Sequence, residues 1–447
     1  MTQRCRPSAA SPPPTTLPRR RRGNALIPVI LVLFMAAFWP SHAADKENLA
    51  SFDKVWSTIK EKHWNLEKTG VDWIKIGETY RPKAKKTSTR GEMRKVIRAM
   101  ISELGQSHFN VYGGDGFATL ETALGDFTRG GNGTLGFEVA LVDDRLLVTR
   151  VHKNVLDAES GIQIGTEILA HSGKKLKPVI DDMTELYGDM AQGRLYMNRT
   201  LNSLFEDSPG MDKELTTVTN GKEQTRTFKM HPPLGRPKTI LNLPTVHYEY
   251  QSEVMSDNIG YLTFNIFIPD VKTQFDNETL PSFKETDGMI IDLRGNGGGI
   301  GFIAVALSNR ILSQQSKLGT MSNQGGTLNF AVFPQKPIYD KPIAILIDGG
   351  SASTSEIMAA GLQDLKRAKV FGTRSAGAAL PSIIETLPNG DRFQYAIADY
   401  TSVGGRHVEG NGVEPDEVTP HTATSLKAGK DAALEAARQW IKSGGQL

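Results

Sequence analysis

Two short stretches between residues 288 and 364 constrain the fold more than any other part of the sequence. Each begins with an apolar run, Gly288–Leu293 and Ile343–Ile347, and continues directly into glycines and small residues. Runs of this length, bounded by turn residues, are typical of buried strands. Further strand-like segments are Ile259–Phe267 and Lys369–Gly372, and helix-like segments lie near 300–313 and 355–366. Strands and helices that alternate in this way predict an α/β domain with a largely buried sheet.

The rest of the chain divides into a helical part and a β-rich part. Residues 46–105 place apolar side chains at helical spacing, and Gly105 ends the second helical segment. Short apolar runs separated by turn residues follow from Gly130 to about Met230, and four prolines in 232–244 indicate a linker. The predicted fold class is α/β (α+β multidomain). The predicted divisions are a signal peptide at 1–43, an N-terminal helical domain at 44–126, a small β-rich domain at 130–231, the α/β domain at 245–425 and a C-terminal helix at 426–447.

The N-terminus has the pattern of an export signal. Four arginines, Arg19–Arg22, precede an apolar run over 25–39, and small residues follow it. We expect cleavage between Ala43 and Ala44 and a periplasmic or secreted mature protein. The apolar run is shorter than the ~20 residues of a spanning helix and contains Pro28. Membrane contact is therefore expected only if the signal segment stays uncleaved.

Charge and cysteine content exclude several kinds of site. The net charge of +3 arises in the N-terminal segment, whose removal leaves 46 basic and 49 acidic residues, so we expect no nucleic-acid partner. The one cysteine, Cys5, lies in the same segment, which leaves the mature chain without a disulfide or a cysteine metal site. No cluster with metal-ligand spacing occurs either. We therefore expect no metal and no other cofactor.

A candidate nucleophile lies where the second apolar stretch continues as "GGSASTSEI" into an amphipathic helix. A serine at a strand-to-helix turn lies at the end of a sheet, near helix N-terminal amides that can stabilise an oxyanion. Ser351, Ser353 and Ser355 all have this position. Because helix capping is the ordinary role of a serine there, the motif alone leaves the three open.

The first apolar stretch ends in "DLRGNGGG", from Asp292 to Gly299. Glycines permit close approach and positive φ, so such a loop can direct an amide at a developing negative charge. A phosphate-binding loop is the alternative interpretation. It is disfavoured because no Gly-Lys-Ser/Thr follows and the glycine spacing is not that of dinucleotide-binding loops.

Together the two motifs, about fifty residues apart, resemble those of the tricorn core and C-terminal processing (tail-specific) peptidases. The resemblance implies a serine peptidase in which the middle serine of the motif, Ser353, is the nucleophile. It also implies an oxyanion hole formed by the amide of Thr354 and a glycine amide from Gly297 or Gly298. Homo-oligomers are common in the family, so an oligomer is a further expectation.

At the position of the general base, this sequence differs from one branch of that family. Processing peptidases carry a lysine after the serine, and the matching position here is Ala378. Lys366 and Lys369 are closer to Ser353 in sequence than Ala378 is, but we expect both lysines to be solvated and not to act as the base. The tricorn-like branch uses a histidine from a Ser-His pair and a glutamate near the C-terminus. The resemblance therefore assigns the base to His108, with Ser107 and Glu409 as partners.

This assignment is chemically sensible. A neutral imidazole accepts a serine proton near neutral pH, and a hydrogen-bonded partner fixes its tautomer. His407, two residues before Glu409, is the competing histidine. Glu409 lies beside Gly410 and Gly412, where a surface turn is the ordinary interpretation.

The β-rich domain resembles a PDZ domain. The loop at Leu135, Gly136 and Phe137 is similar to that family's Gly-Leu-Gly-Phe loop, and "LDAESGIQIGTEILAHSGKKL" is similar to a second characteristic stretch. PDZ domains bind C-terminal peptides as an added strand while loop amides hold the carboxylate. Packing against the catalytic domain without peptide capture is the alternative.

The sequence thus predicts a secreted or periplasmic serine endopeptidase that acts on protein or peptide substrates through an acyl-enzyme at Ser353. The alternative from another class is a non-catalytic protein that binds apolar ligands or peptides on the same fold. Ala378 favours that alternative, whereas the presence of Ser107, His108, Ser353 and Glu409 together opposes it.

Overall fold

The computed structural model describes residues 42–112, 133–152, 155–156, 160–188, 192–240 and 245–447. Most of the predicted signal segment and residues 113–132 lie outside these ranges. The helices are α1 (His42–Lys62), α2 (Trp73–Ala84), α3 (Arg90–Ser102), α4 (Lys177–Tyr187), α5 (Gly193–Ser203), α6 (Pro269–Gln274), α7 (Leu280–Ser282), α8 (Gly301–Ser308), α9 (Thr354–Asp364), α10 (Ala423–Lys427) and α11 (Ala432–Lys442). A helix that is long and apolar enough to cross a membrane does not occur within these ranges.

The strands of the described chain fall into two large sheets and three small ones. They are β1 (Asn110–Tyr112), β2 (Phe137–Val142), β3 (Arg145–Val151), β4 (Glu167–His171), β5 (Lys174–Lys175), β6 (Asp212–Thr219), β7 (Lys222–Lys229), β8 (Arg236–Lys238), β9 (Val246–Tyr248), β10 (Tyr250–Val254), β11 (Ile259–Phe264), β12 (Gly288–Asp292), β13 (Ser316–Asn323), β14 (Gly326–Val332), β15 (Ile343–Ile347), β16 (Lys369–Gly372), β17 (Ser382–Thr386), β18 (Arg392–Ala396), β19 (Asp399–Ser402) and β20 (Glu417–Val418). The predicted mixed α/β architecture is confirmed.

The sheet that carries the two apolar stretches has the order β10-β11-β12-β15-β16-β20. β10 is antiparallel to β11, and the other neighbours run parallel. β12 and β15 are buried along their whole length, which is why both are apolar on each face except at Asp292, whose carboxylate is paired with Arg294. Helices α8 and α9 cover one face of this sheet and α11 covers the other.

The N-terminal helices share a hydrophobic core with a distant hairpin. Phe52, Ile59 and Ile97 pack with Phe393 and with other residues of 380–396. In addition, β1 pairs antiparallel with β18, so the chain that follows α3 is held at the edge of that hairpin. Docking of this kind fixes the segment between α3 and β1, which contains the predicted base.

The β-rich part at 130–231, which was predicted to be PDZ-like and is called the PDZ-like part below, contains a sheet of order β2-β3-β4-β6-β7 with its own core, covered by α4 and α5. β2 is an edge strand. The side chain of Asn202 on α5 accepts from Val139 N at 2.9 Å and donates to Val139 O at 2.8 Å. One rung of the free edge of β2 is therefore already occupied by a side-chain amide.

Candidate active site

The turn that carries Ser353 begins at the carboxyl end of β15, next to the carboxyl end of β12. Parallel α/β sheets form their ligand sites at this edge. The Asp348 carboxylate accepts from Gly295 N and Gly350 N, both at 2.9 Å, and Ala352 N donates to Asn296 O at 3.0 Å. The serine turn and the glycine loop thus form one hydrogen-bonded unit.

The three candidate serines differ in exposure. Ser351 and Ser355 are fully buried, and their hydroxyl groups donate to Leu293 O and Asn296 O, both at 2.8 Å. Ser353 is half-buried, and its φ of 56° and ψ of −114° lie outside the helical region. Such a backbone conformation is sparsely populated for a residue with a side chain and occurs at functional sites. Of the three, only Ser353 combines access to solvent with this position.

A buried carboxylate holds the serine turn in place. Glu356, in the first turn of α9, accepts from Ser353 N at 3.0 Å, Gly377 N at 2.8 Å and Ala378 N at 2.9 Å. It also accepts from the hydroxyl of Ser375. Complete burial raises the pKa of Glu356 to about 7, and these four hydrogen bonds oppose the rise.

The amides proposed for the oxyanion hole lie beside Ser353 but are not equivalent. A Cβ on Gly298, which has a φ of 98°, would lie 2.7 Å from Ser353 Cβ and 2.9 Å from Thr354 N, so only glycine fits. Gly298 N donates to the Asn296 side chain at 2.9 Å. Within the described chain, Gly297 N has no such acceptor, which leaves Gly297 and Thr354 as the candidate donors.

The loop that carries the predicted base is fixed on both sides. Gly105 takes a φ of 61° after α3, and His108 itself has a φ of 60°. Gln106 Oε1 lies 2.8 Å from His63 Nε2, and Phe109 stacks on the His63 ring at 5.4 Å between centroids. These contacts hold Gln106 and Phe109, on either side of Ser107 and His108, against His63.

The structure brings Ser107, His108 and Glu409 together. Ser107 Oγ lies 2.7 Å from His108 Nδ1 and donates to Glu409 Oε2 at 2.8 Å. Glu409 Oε1 accepts from Ser107 N at 2.8 Å, and Oε2 also accepts from Ala379 N at 2.9 Å. Because the hydroxyl has one proton and donates it to Glu409, His108 Nδ1 must be the donor to Ser107 Oγ. Nε2 of His108 is then unprotonated and can accept a proton.

Burial perturbs the pKa values of this relay. Burial and, to a smaller extent, the positive charge of Arg199 together lower the pKa of His108 to about 4. Burial raises the pKa of Glu409, while the hydrogen bonds from Ser107 and Ala379 oppose that rise. His108 is accordingly neutral at physiological pH, as a base must be.

A cavity of about 260 Å³ joins the base to the serine turn. Its lining residues are Ser107, His108, Phe109, Asn110, Leu195, Tyr196, Arg199, Gly297, Ala352, Ala378, Ile384, Arg392 and Gln394. Ala352 and Ala378 flank Ser353, since Ser353 N donates to Ala378 O at 2.8 Å.

The competing bases lie elsewhere. Lys366 is exposed at the end of α9, and Lys369 Nζ donates to Glu417 at 2.9 Å, so neither lines the cavity. His407 has an exposed side chain whose Nδ1 lies 3.4 Å from Asp399. Among the described residues, no group of three or more His, Cys, Asp or Glu side chains could hold a metal ion.

The PDZ-like loop is largely buried. Leu135 and Phe137 belong to the core of the β-rich sheet. Gly136 N donates to Thr134 Oγ1 at 2.9 Å, and Gly136 O accepts from His152 N at 2.9 Å. The Gly136 amide is therefore engaged within the protein in this structure.

Three site residues were missed by the sequence analysis. The role of Glu356 could have been predicted from the sequence, because a glutamate three residues after a serine at a helix start indicates a capping box. Gln192 donates to Gly377 O at 2.7 Å and lies 3.5 Å from Glu409 Oε1, and Arg199 lines the cavity. No local pattern indicates these two, because they come from the end and the face of a helix in the PDZ-like part.

Comparison with known proteins identifies two regions of the chain. Residues 258–419 match the model of peptidase family S41, and residues 44–102 match the tricorn protease C1 domain. The first region includes Ser353 and Glu409, whereas Ser107 and His108 lie outside both.

The relatives are processing proteases. A carboxyl-terminal-processing protease of Picosynechococcus sp. is 29% identical over 174 residues, which is 39% of this chain and 42% of that protein. A carboxy-terminal-processing protease of Bartonella bacilliformis is 26% identical over 69% of this chain and 66% of that protein. The chain thus spans between about two fifths and two thirds of the length of these relatives.

The fold agrees with this comparison. The solved photosystem II D1 C-terminal processing protease superimposes with a TM-score of 0.54 and 19% identity, covering 89% of this chain and 97% of that one. The family model, the named relatives and the shared fold lead to one conclusion, which is that residues 258–419 form a region of the peptidase family S41 type.

Proposed function

We propose that the protein is a serine endopeptidase in which Ser353 is the nucleophile and His108, without a lysine, is the general base. One observation carries the proposal: Glu409, Ser107 and His108 form a continuous relay with distances of 2.8 and 2.7 Å. A base that is oriented by a third group is the arrangement that activates a serine on unrelated folds.

The relay supports the following chemistry. His108 Nε2 accepts the proton of Ser353 Oγ as the oxygen attacks the peptide carbonyl, and the positive imidazole is stabilised through Ser107 by the Glu409 carboxylate. His108 then gives the proton to the leaving amine, which yields an acyl-enzyme on Ser353. Water, deprotonated by His108, hydrolyses the acyl group by the same steps.

The oxyanion that forms during attack requires donors next to Ser353. We assign them to Thr354 N and Gly297 N, because Gly298 N is engaged by Asn296. Donors of this kind typically contribute a factor of about 10² to 10³ each to kcat. The close approach of Gly298 to Ser353 fixes the position of the glycine loop relative to the serine turn.

The alternative of a non-catalytic binding protein predicts that the relay has no chemical role. A fluorophosphonate probe separates the two functions, because it reacts only with an activated serine. We expect the wild type to be labelled and Ser353→Ala and His108→Ala to lose labelling. We also expect each to reduce kcat on a peptide substrate by about 10⁴-fold or more, with little further loss in the double variant.

A matched histidine provides the control. His407 is exposed and remote from the cavity, so His407→Ala should keep labelling and turnover. Absence of Ser353-dependent labelling in the folded wild type would favour the binding protein. Normal turnover by His108→Ala would disprove the base.

We further propose that substrates dock as an added strand on β2, with their C-terminus at the loop of Leu135, Gly136 and Phe137. The edge position of β2 supports this mode of binding. Asn202 competes for the same rung, so an incoming peptide must displace its side chain from Val139.

Export remains part of the proposal. Cleavage between Ala43 and Ala44 would fall in the first turn of α1, which begins at His42. N-terminal sequencing of the protein from an envelope fraction tests it, and a retained Met1 on a cytoplasmic protein would exclude it.

A further inference from the structure

Helix α5 belongs to the PDZ-like part, yet one face of it lines the catalytic cavity. Leu195, Tyr196 and Arg199 lie on this face, since positions three and four apart in a helix are neighbours. Leu195 is buried in a cluster with Ala352, which precedes Ser353, and with Ala378, whose carbonyl accepts from Ser353 N. This packing anchors α5 to the serine turn and determines where Arg199, one turn further along, is placed.

Arg199 approaches the proposed oxyanion loop. A Cβ on Gly297 would lie 2.7 Å from Arg199 Nη2, so the guanidinium rests directly against this glycine. Its charge also reaches the base, where it lowers the pKa of His108. The cation is therefore close to Gly297 and acts electrostatically on His108, the two residues that the proposed mechanism assigns to the oxyanion and to the base.

Among the residues that the structure describes, Arg199 has no partner of opposite charge. The lining of the cavity includes Arg199 and Arg392 but no aspartate or glutamate. Within the described ranges Arg199 makes neither an ion pair nor a hydrogen bond, whereas Arg294 binds Asp292 and Asp431. A guanidinium presents a planar fork of donors that matches a carboxylate. Arg199 is exposed and lines the cavity, so its guanidinium, which is unpaired within the described residues, is accessible to a carboxylate of the substrate.

We propose that Arg199 is a specificity-determining residue, which binds a substrate carboxylate next to the scissile bond. The carboxylate is either the side chain of an aspartate or glutamate or the C-terminus of the peptide. This inference rests on the proposed peptidase function, because it takes the cavity to be the substrate site.

Binding to the inactive Ser353→Ala protein tests the inference without turnover. Three fluorescein-labelled pools of randomised hexapeptides serve as probes, and fluorescence anisotropy measures their affinity. The first pool has a fixed central glutamate and an amidated C-terminus, the second a central glutamine and an amidated C-terminus, and the third a central glutamine and a free C-terminus. Comparison with the second pool identifies which carboxylate is bound.

We expect one of the carboxylate pools to bind about 10-fold more tightly than the neutral pool, the factor that a charge-assisted hydrogen bond provides at a partly exposed site. Arg199→Gln should remove this preference, and Arg199→Lys should restore part of it. Arg236→Gln removes an exposed arginine of β8 that does not line the cavity, so the preference should remain.

The inference is overturned if no carboxylate preference depends on Arg199, either because none exists or because it survives in Arg199→Gln. This failure is distinct from a failure of the proposed function. Fluorophosphonate labelling of Ser353 requires no substrate carboxylate, so it would persist in an enzyme that merely lacks this specificity.

Discussion

Glu409→Gln keeps the shape of the side chain but replaces one acceptor oxygen with an NH₂ group. Oε1 of Glu409 accepts from Ser107 N, and Oε2 accepts from Ser107 Oγ and Ala379 N. In either orientation the new NH₂ group faces a backbone N–H that then has no acceptor. An unsatisfied donor of this kind costs about 1 to 3 kcal/mol, which should appear as a lower free energy of unfolding.

The same substitution acts on the tautomer of His108. With NH₂ in the place of Oε2, the Ser107 hydroxyl must accept from it and donate its own proton to His108 Nδ1. The histidine proton then moves to Nε2, the atom that should receive the proton of Ser353. In a Ser-His-Asp triad the wrong tautomer lowers kcat by about 10⁴-fold. The other orientation keeps the relay, so we expect a loss of about 10²- to 10⁴-fold.

Two measurements check this reasoning. Steady-state kinetics on a peptide substrate gives the loss in kcat, and ¹⁵N NMR of labelled histidine distinguishes a proton on Nδ1 from one on Nε2. We expect His108 to carry it on Nδ1 in the wild type and on Nε2 in a substantial fraction of Glu409→Gln. Wild-type kcat together with an unchanged His108 spectrum would refute the relay.

Further predictions concern the serine turn, the pH dependence and peptide capture. Glu356→Gln should cost about 1 to 3 kcal/mol in urea unfolding for each donor that loses its acceptor, and unchanged stability would show that these donors find other acceptors. As the pH falls, Glu356, whose pKa is about 7, and Glu409, whose pKa is raised, gain protons before His108, whose pKa is about 4. We therefore expect kcat/KM to decline well above pH 4, and a decline with its midpoint at pH 4 would contradict this order. Arg199→Gln removes a positive charge that disfavours the imidazolium, so an NMR titration should show a higher pKa of His108, and an unchanged value would exclude the influence of this charge. If β2 captures peptides, amidation of the peptide C-terminus should weaken binding and Asn202→Ala, which frees the strand edge, should strengthen it, whereas equal binding of acid and amide would leave packing as the role of the PDZ-like part.

The sequence was most informative where burial dictates composition. β15 and β16 have the predicted bounds, and β12 differs by one residue, because strands buried on both faces are mostly apolar. The two motifs at the ends of these strands gave the family, which the comparisons confirm.

Long-range packing explains what the sequence could not reveal. Pairing of β1 with β18 joins residues about 280 positions apart, and neither strand carries a signal for its partner. Arg199 and Gln192 belong to the site only because α5 docks on the serine turn. The choice between Gly297 and Gly298 depended on a single contact, the acceptor that Asn296 offers to Gly298 N.

The position of Glu409 shows why the proposed base and nucleophile depend on the whole fold. Its carboxylate accepts from the N-terminal loop through Ser107 and from the catalytic domain through Ala379. Gln192, at the start of α5, reaches the same carboxylate at 3.5 Å. The relay is therefore assembled only when the N-terminal helices are docked on the β17–β18 hairpin and α5 is packed against the serine turn. Residues 245–425 alone would retain Ser353 and the glycine loop, but they would contain a serine without its base, and a serine without a base is a weak nucleophile.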